Sequence, residues 1–193
     1  MFSVVAAYLP YAFVTAYTPG PNNILSLYSV GQKGWKKGKN TLFGIAAGFF
    51  SVMVVCAVLC FWMARYIPSL SNVLKYVGAA YILWLAVHIA LSKPSEEGVS
   101  GANFWKAFFL QFANVKIIMY AITIYTGYVL PVSQSFPYLA AHAVCITVIG
   151  ASGAFVWGAA GGALQRFLSK YYRPFNILMG VVLFICAMQI ILS

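Results

Sequence analysis

The chain has 193 residues, 63% of them hydrophobic and 7% charged, with a net charge of +10. Soluble domains carry about 25% charged residues, so this composition excludes a water-soluble globular protein and points to an all-α, polytopic membrane protein. The positive balance comes from missing acids, Glu96 and Glu97 being the only two. The Lys and Arg residues flank apolar runs, which reads as topology signal and contact with anionic lipid rather than a nucleic-acid surface.

A membrane-spanning helix needs about 20 apolar residues. Six spans are predicted, at about 4–30, 41–64, 72–91, 104–129, 137–161 and 174–192. The first run is uncharged from Met1 to Gln32. It lacks a basic leading region, so it reads as a retained span and not as a signal peptide. Near its centre stands Thr18-Pro19-Gly20-Pro21-Asn22-Asn23. Two prolines and a glycine there break the backbone hydrogen-bond ladder. A broken helix deep in lipid is tolerated only where it is buried in protein or lines a cavity. Discontinuous helices at the midplane are one way secondary transporters build a substrate site.

The chemistry of this break suits a zwitterion. Pro19 and Pro21 cannot donate to the carbonyls of Thr15 and Tyr17, which leaves those oxygens for an ammonium group. The half-helix starting near Pro21 offers its first amides and the positive end of its dipole to a carboxylate. Asn22 and Asn23 add uncharged donors and acceptors. The competing reading is a packing kink capped by Asn22.

The second span carries Gly44-Ile45-Ala46-Ala47-Gly48, then Cys56 and Cys60 on one helix face. No His or acid lies near these thiols in the sequence. They are therefore read as small packing residues, with no metal, cofactor or disulfide framework expected. The third span contains Gly78-Ala79-Ala80-Tyr81 and ends near His88.

The fourth span contains Gln111-Phe112-Ala113-Asn114-Val115-Lys116. Lys116 lies about 18 Å from the start of that span, too deep for its amine to reach water. A lysine at a helix centre costs about 3 kcal/mol. No Asp or Glu occurs in any span, which leaves Asn, Gln, Tyr, backbone carbonyls and a substrate carboxylate as partners. The alternative is a structural lysine bonded to the freed carbonyls of the first span.

The tight polar turn Leu130–Pro137 separates this span from a fifth that holds His142 and glycines at 150, 153, 158, 161 and 162. Either His88 or His142 serves as a proton relay or as a packing residue. The pairs Gly34/Gly38, Gly44/Gly48 and Gly158/Gly162 permit close helix contact, within the chain or across a homodimer.

Basic residues set the orientation. Nine Lys and Arg lie in loops one, three and five against two, Arg65 and Lys75, in the second loop region. Loops one, three and five are thus expected in the cytoplasm and both termini outside. Six spans split as three plus three, and the second half then starts on the opposite side from the first. That is a 3+3 inverted repeat, with a broken first helix and a milder break expected in the fourth, which lacks proline.

Thr18–Asn23, Gly78–Tyr81 and Asn114-x-Lys116 together resemble the LysE/RhtB amino-acid exporters, over essentially the whole chain. The stretches 78–86 and 110–118 resemble the branch that exports cysteine and O-acetylserine. Many family members have proline where this chain has Val115, but that branch also has valine. The resemblance implies a bacterial inner-membrane exporter of small neutral amino acids, working by alternating access, with protons as the coupling ion. Its substrate site is expected between the first and fourth spans. Pro19, Gly20 and Pro21 would shape it; Asn22, Asn23, the nearby amides and Lys116 would bind the carboxylate; Gln111 and Asn114 would complete the polar lining. Homoserine, threonine or another small metabolite is the rival cargo, and a channel or structural subunit the rival class. An enzyme is disfavoured, since the spans hold no acid–base or metal constellation.

Overall fold

The computed structural model describes residues 1–66, 68–91 and 103–192, and every regular element among them is helical. Helix α1 runs Phe2–Tyr17 and stops at Thr18, whose backbone is extended at φ −68, ψ 147. Helix α2 restarts at Pro21, where the missing N–H costs nothing, and continues to Tyr66. Helix α3 spans Pro68–Leu91. Helix α4, Phe104–Leu110, is capped by the Asn103 side chain, which accepts from Lys106 N at 2.9 Å. A 3₁₀ turn at Gln111–Ala113 leads through the extended Asn114 into α5, Val115–Ile124, and then into a π-helical turn at Tyr125–Val129. Helix α6 runs from Phe136 to Leu192, with breaks at Gly161 and Tyr171.

Two expected loops are absent as loops. The lysine-rich stretch 33–39 is helical on both sides of a one-residue elbow at Gly34, with φ 69 and ψ 164. Only glycine takes that backbone conformation readily, while the flanking Lys and Trp extend a helix without difficulty. The stretch 165–174 is also helical, the chain turning at Gly161 (φ 49) and Tyr171, with Pro174 in the first turn after that break. Gly34→Ala is expected to cost about 1–3 kcal/mol through backbone strain, since open space surrounds the position and nothing would clash. Thermal unfolding in detergent measures it.

Lys33–Tyr66 and Phe136–Gly161 are each long and apolar enough to cross a membrane. Phe104–Ala113 and Val115–Val129 form a third such unit, bent by 60°, so the fourth-span break is sharp despite its lack of proline. Phe2–Tyr17, Tyr76–His88 and Asn176–Leu192 are shorter apolar helices. Among the residues used for orientation, Lys93 lies outside the described residues, as do Glu96 and Glu97, and the side chains of Lys75 and Arg166 lie outside the described side chains.

Helix α6 packs along α1, α2 and α3. The core they share is built on Tyr8, Tyr11, Met53, Ile82, Tyr120, Ile124, Ile146 and Leu183. Glycines set the closest approaches. Gly44 and Gly48 of α2 lie against the carbonyls of Phe104 and Phe108, and Gly153 of α6 lies against the carbonyl of Ala16. The Gly44/Gly48 pair therefore seats α4 within the chain. Gly38 meets Val30 across the elbow, and Gly158 meets Leu42 and Val30. Phe13, Phe43, Trp84 and Phe184 point outward, as an apolar surface facing lipid requires, and Trp35, Trp62 and Trp105 are exposed near helix ends.

Candidate functional site

The break between α1 and α2 and the break between α4 and α5 meet. A cavity of about 40 Å³ lies between them, and its wall includes Thr15, Gly20, Pro21, Asn22, Asn23, Asn114 and Lys116. Of the eight residues expected in the site, Pro19 and Gln111 do not line the cavity directly. Gln111 is fully buried and holds the lining in place. Its Oε1 accepts from Asn22 Nδ2 at 2.8 Å, and its Nε2 donates to the Ala107 carbonyl at 2.8 Å. Asn114 Nδ2 reaches Asn22 Oδ1 at 3.5 Å, so Asn22 ties the first break to the second.

Lys116 projects from the first turn of α5 toward the other break. Its Nζ lies 3.3 Å from Thr18 Oγ1 and 3.4 Å from the Thr18 carbonyl. These bonds are at the long end of the useful range. They leave an amine with three donors able to turn to a better acceptor. Gly20 makes room for it, because a Cβ there would stand 2.9 Å from Nζ.

The carbonyls freed by proline are already engaged, which differs from the expectation that they stand open for a ligand. The Tyr17 carbonyl accepts from Trp157 Nε1 at 3.0 Å, and the Thr15 carbonyl from Thr18 Oγ1 at 3.3 Å. The Asn23 side chain donates to the carbonyls of Ala16 and Thr18, both at 2.8 Å, and so clasps the end of α1 to the start of α2. Buried carbonyls are costly to leave unpaired, and the chain supplies its own donors. Trp157→Phe removes one of them and is expected to cost about 1–3 kcal/mol, read as a lowered unfolding temperature in detergent.

The open acceptors are elsewhere. Thr15 Oγ1 and Tyr120 OH are buried without a hydrogen-bond partner, and both residues line the cavity. Phe49, Ile117, Ala16 and Gly150 complete an apolar wall. Sequence reasoning named Thr15 for its carbonyl and not its hydroxyl, and it missed Phe49, Tyr120 and Trp157 as site residues. A signal for Trp157 existed, since each freed carbonyl demands a donor and an indole N–H in a facing span supplies one. Lys116 is the one charged residue of the lining, and no acid faces it there.

The arrangement offers a cation, the first amides of two half-helices and buried hydroxyls around a small apolar wall. These are groups for binding a small zwitterion without covalent chemistry.

Comparison with known proteins identifies a family. The LysE type translocator family matches residues 13–193. The cysteine/O-acetylserine efflux protein of Escherichia coli (strain K12) is 39% identical over 190 residues, covering 97% of each chain. The protein of the same name from Shigella flexneri is 39% identical over 189 residues, again with 97% of each chain covered. No solved structure matches the chain. A membrane transporter, and not an enzyme, is what these similarities and the apolar helices describe: the chain belongs to the LysE type translocator family.

Proposed function

We propose that the protein exports small neutral amino acids across the bacterial inner membrane, with cysteine or O-acetylserine as cargo, by alternating access driven by the proton gradient. The observation that carries this reading is the meeting of two helix breaks around Lys116, with its Nζ only loosely held by Thr18. The substrate carboxylate binds Lys116 Nζ and the first amides of α2 and α5. The ammonium group takes the hydroxyls of Thr15 and Tyr120, the unpartnered acceptors of the wall. Phe49 and Ile117 face a short side chain. A cationic side chain finds no acid in this lining, which disfavours basic cargo.

The correspondence of breaks supports a six-span, 3+3 inverted repeat. The break at Thr18–Gly20 lies in the first predicted span and that at Gln111–Asn114 in the fourth, the equivalent positions of the two halves. The basic residues of the stretches 33–39, 93–106 and 166–173 support a topology with both termini on the periplasmic side. A cavity of about 40 Å³ holds roughly three waters at 10–15 Å³ each. It is too small for an amino acid, so binding requires the two halves to part.

The test is uptake of labelled cysteine and O-acetylserine into inside-out vesicles, with and without an imposed pH gradient. Saturable, gradient-driven uptake is expected. Competition by homoserine and threonine then ranks the rival cargoes. Flux that does not saturate points to a channel, and absence of any flux from folded protein removes the transport reading.

A further inference from the structure

A second polar cluster lies away from the cavity, between α1, α5, the π-helical turn and the start of α6. At its far end is His142, fully buried six residues into α6. Its Nδ1 is 3.1 Å from the hydroxyl of Tyr8, also fully buried, and its Nε2 has no partner. The Tyr138 ring packs edge-on against the imidazole with centroids 4.6 Å apart. Tyr8 also meets Tyr128 edge-on at 6.2 Å. The hydroxyls of Tyr128 and Tyr138 are buried and unpartnered.

The cluster continues toward the cavity. Tyr11 and Tyr120 have ring centroids 5.6 Å apart, and Tyr8 is buried in the same core cluster. The Tyr11 hydroxyl faces Thr15 and Thr123. Thr15 and Tyr120 themselves line the cavity. An ordinary core buries polar atoms in pairs. Here the hydroxyls of Tyr11, Thr15, Tyr120, Thr123, Tyr128 and Tyr138 are buried without a partner, and each costs about 1–3 kcal/mol unless something bonds it in another state of the protein.

We propose that His142 carries the coupling proton, and that its protonation is felt at the substrate site through the packed core of Tyr8, Tyr11 and Tyr120. This rests on the proton-driven reading above. In the tautomer with Nδ1–H donating to the Tyr8 oxygen, Nε2 holds a free lone pair. It accepts a proton to give an imidazolium, and no other bond breaks. The titratable groups beside the ring are Tyr8 and the α-amino group of Met1 from α1 and Tyr138 from α6, while Tyr128 of the π-helical turn and Cys145 of α6 neighbour Tyr8. Among these described neighbours there is no carboxylate, Lys or Arg, and the α-amino group of Met1 is the one cation. His88 has a different setting: it is exposed and stacked on Trp84 at 4.9 Å, on the outer surface.

The experiment compares wild type and His142→Gln in inside-out vesicles with the membrane potential clamped, reading both cargo exchange and concentrative uptake. One-proton coupling concentrates cargo about tenfold per pH unit in the wild type. His142→Gln is expected to lose that concentration while still exchanging labelled for unlabelled cargo, as His88→Gln does not. Concentrative uptake at the wild-type ratio in folded His142→Gln overturns the proposal. If the wild type itself ignores the gradient, the proton-driven reading fails first, which is a separate result. Should His142→Gln not fold, ¹⁵N NMR of histidine-labelled His88→Gln protein decides. A His142 ring that titrates between about pH 5 and 8, with a midpoint that moves when cargo is added, supports the assignment. A ring that keeps one charge state across that range overturns it.

Discussion

Lys116→Ala is expected to abolish transport while leaving the protein at least as stable as the wild type. The two effects have opposite signs because the lysine serves a bound carboxylate better than it serves the empty fold. A buried carboxylate deprived of its cation loses about 3–5 kcal/mol, which is at least a hundredfold in affinity. The empty protein loses only two long bonds to Thr18, at 3.3 and 3.4 Å. Against that, a lysine at helix-centre depth costs about 3 kcal/mol, which alanine avoids. Binding of labelled cysteine to purified protein, together with thermal unfolding of the same samples, reads both quantities. A variant that unfolds early and still binds cargo would falsify the assignment and make Lys116 a structural clamp.

Gly48→Val is the second large effect, and here stability falls together with activity. A Cβ at position 48 runs into the Phe108 carbonyl and stands 2.7 Å from Gln111 Cγ. The carbonyl is backbone and cannot swing away, so α4 must move off α2. Overpacking of this kind costs about 1–3 kcal/mol, at times more. The damage also reaches the site through Gln111, whose Oε1 holds Asn22 at 2.8 Å. The matched control is Gly31→Ala. Nothing lies within 4 Å of its Cβ, and the residue is helical. Alanine there is expected to gain up to about 1 kcal/mol. Unfolding temperatures of the two variants should therefore diverge in opposite directions from wild type.

Some of this site could be read from the sequence because it breaks local rules. Two prolines and a glycine inside an apolar run, and one lysine inside another, are each expensive, and both features border the same cavity. Residues that obey the rules were invisible. Tyr120 and Phe49 sit in apolar runs where an aromatic reads as core, and only the fold turns them toward the cavity. The elbow at Gly34 was masked by four lysines that look like a polar loop. The sharpness of the fourth-span break was also hidden, since no proline makes it. Gln111 instead bonds the Ala107 carbonyl and Asn114 takes an extended backbone at φ −85, ψ 95, so polar side chains and one dihedral end the helix. The carbonyls freed by proline were identified correctly, but their donors, Trp157 and the Thr18 hydroxyl, lie far away in sequence or on the break itself.

The smallness of the space between the two breaks has an electrical meaning. An ion leaks through a membrane protein along a continuous thread of water, and each charge that slips inward dissipates about 2.3 kcal/mol per 100 mV. A void of about 40 Å³, walled in part by Phe49 and Gly150 and lined by Lys116, holds too little water to make such a thread by itself. A narrow water-poor region between the two breaks is what lets an unloaded transporter sit in a membrane without a standing current.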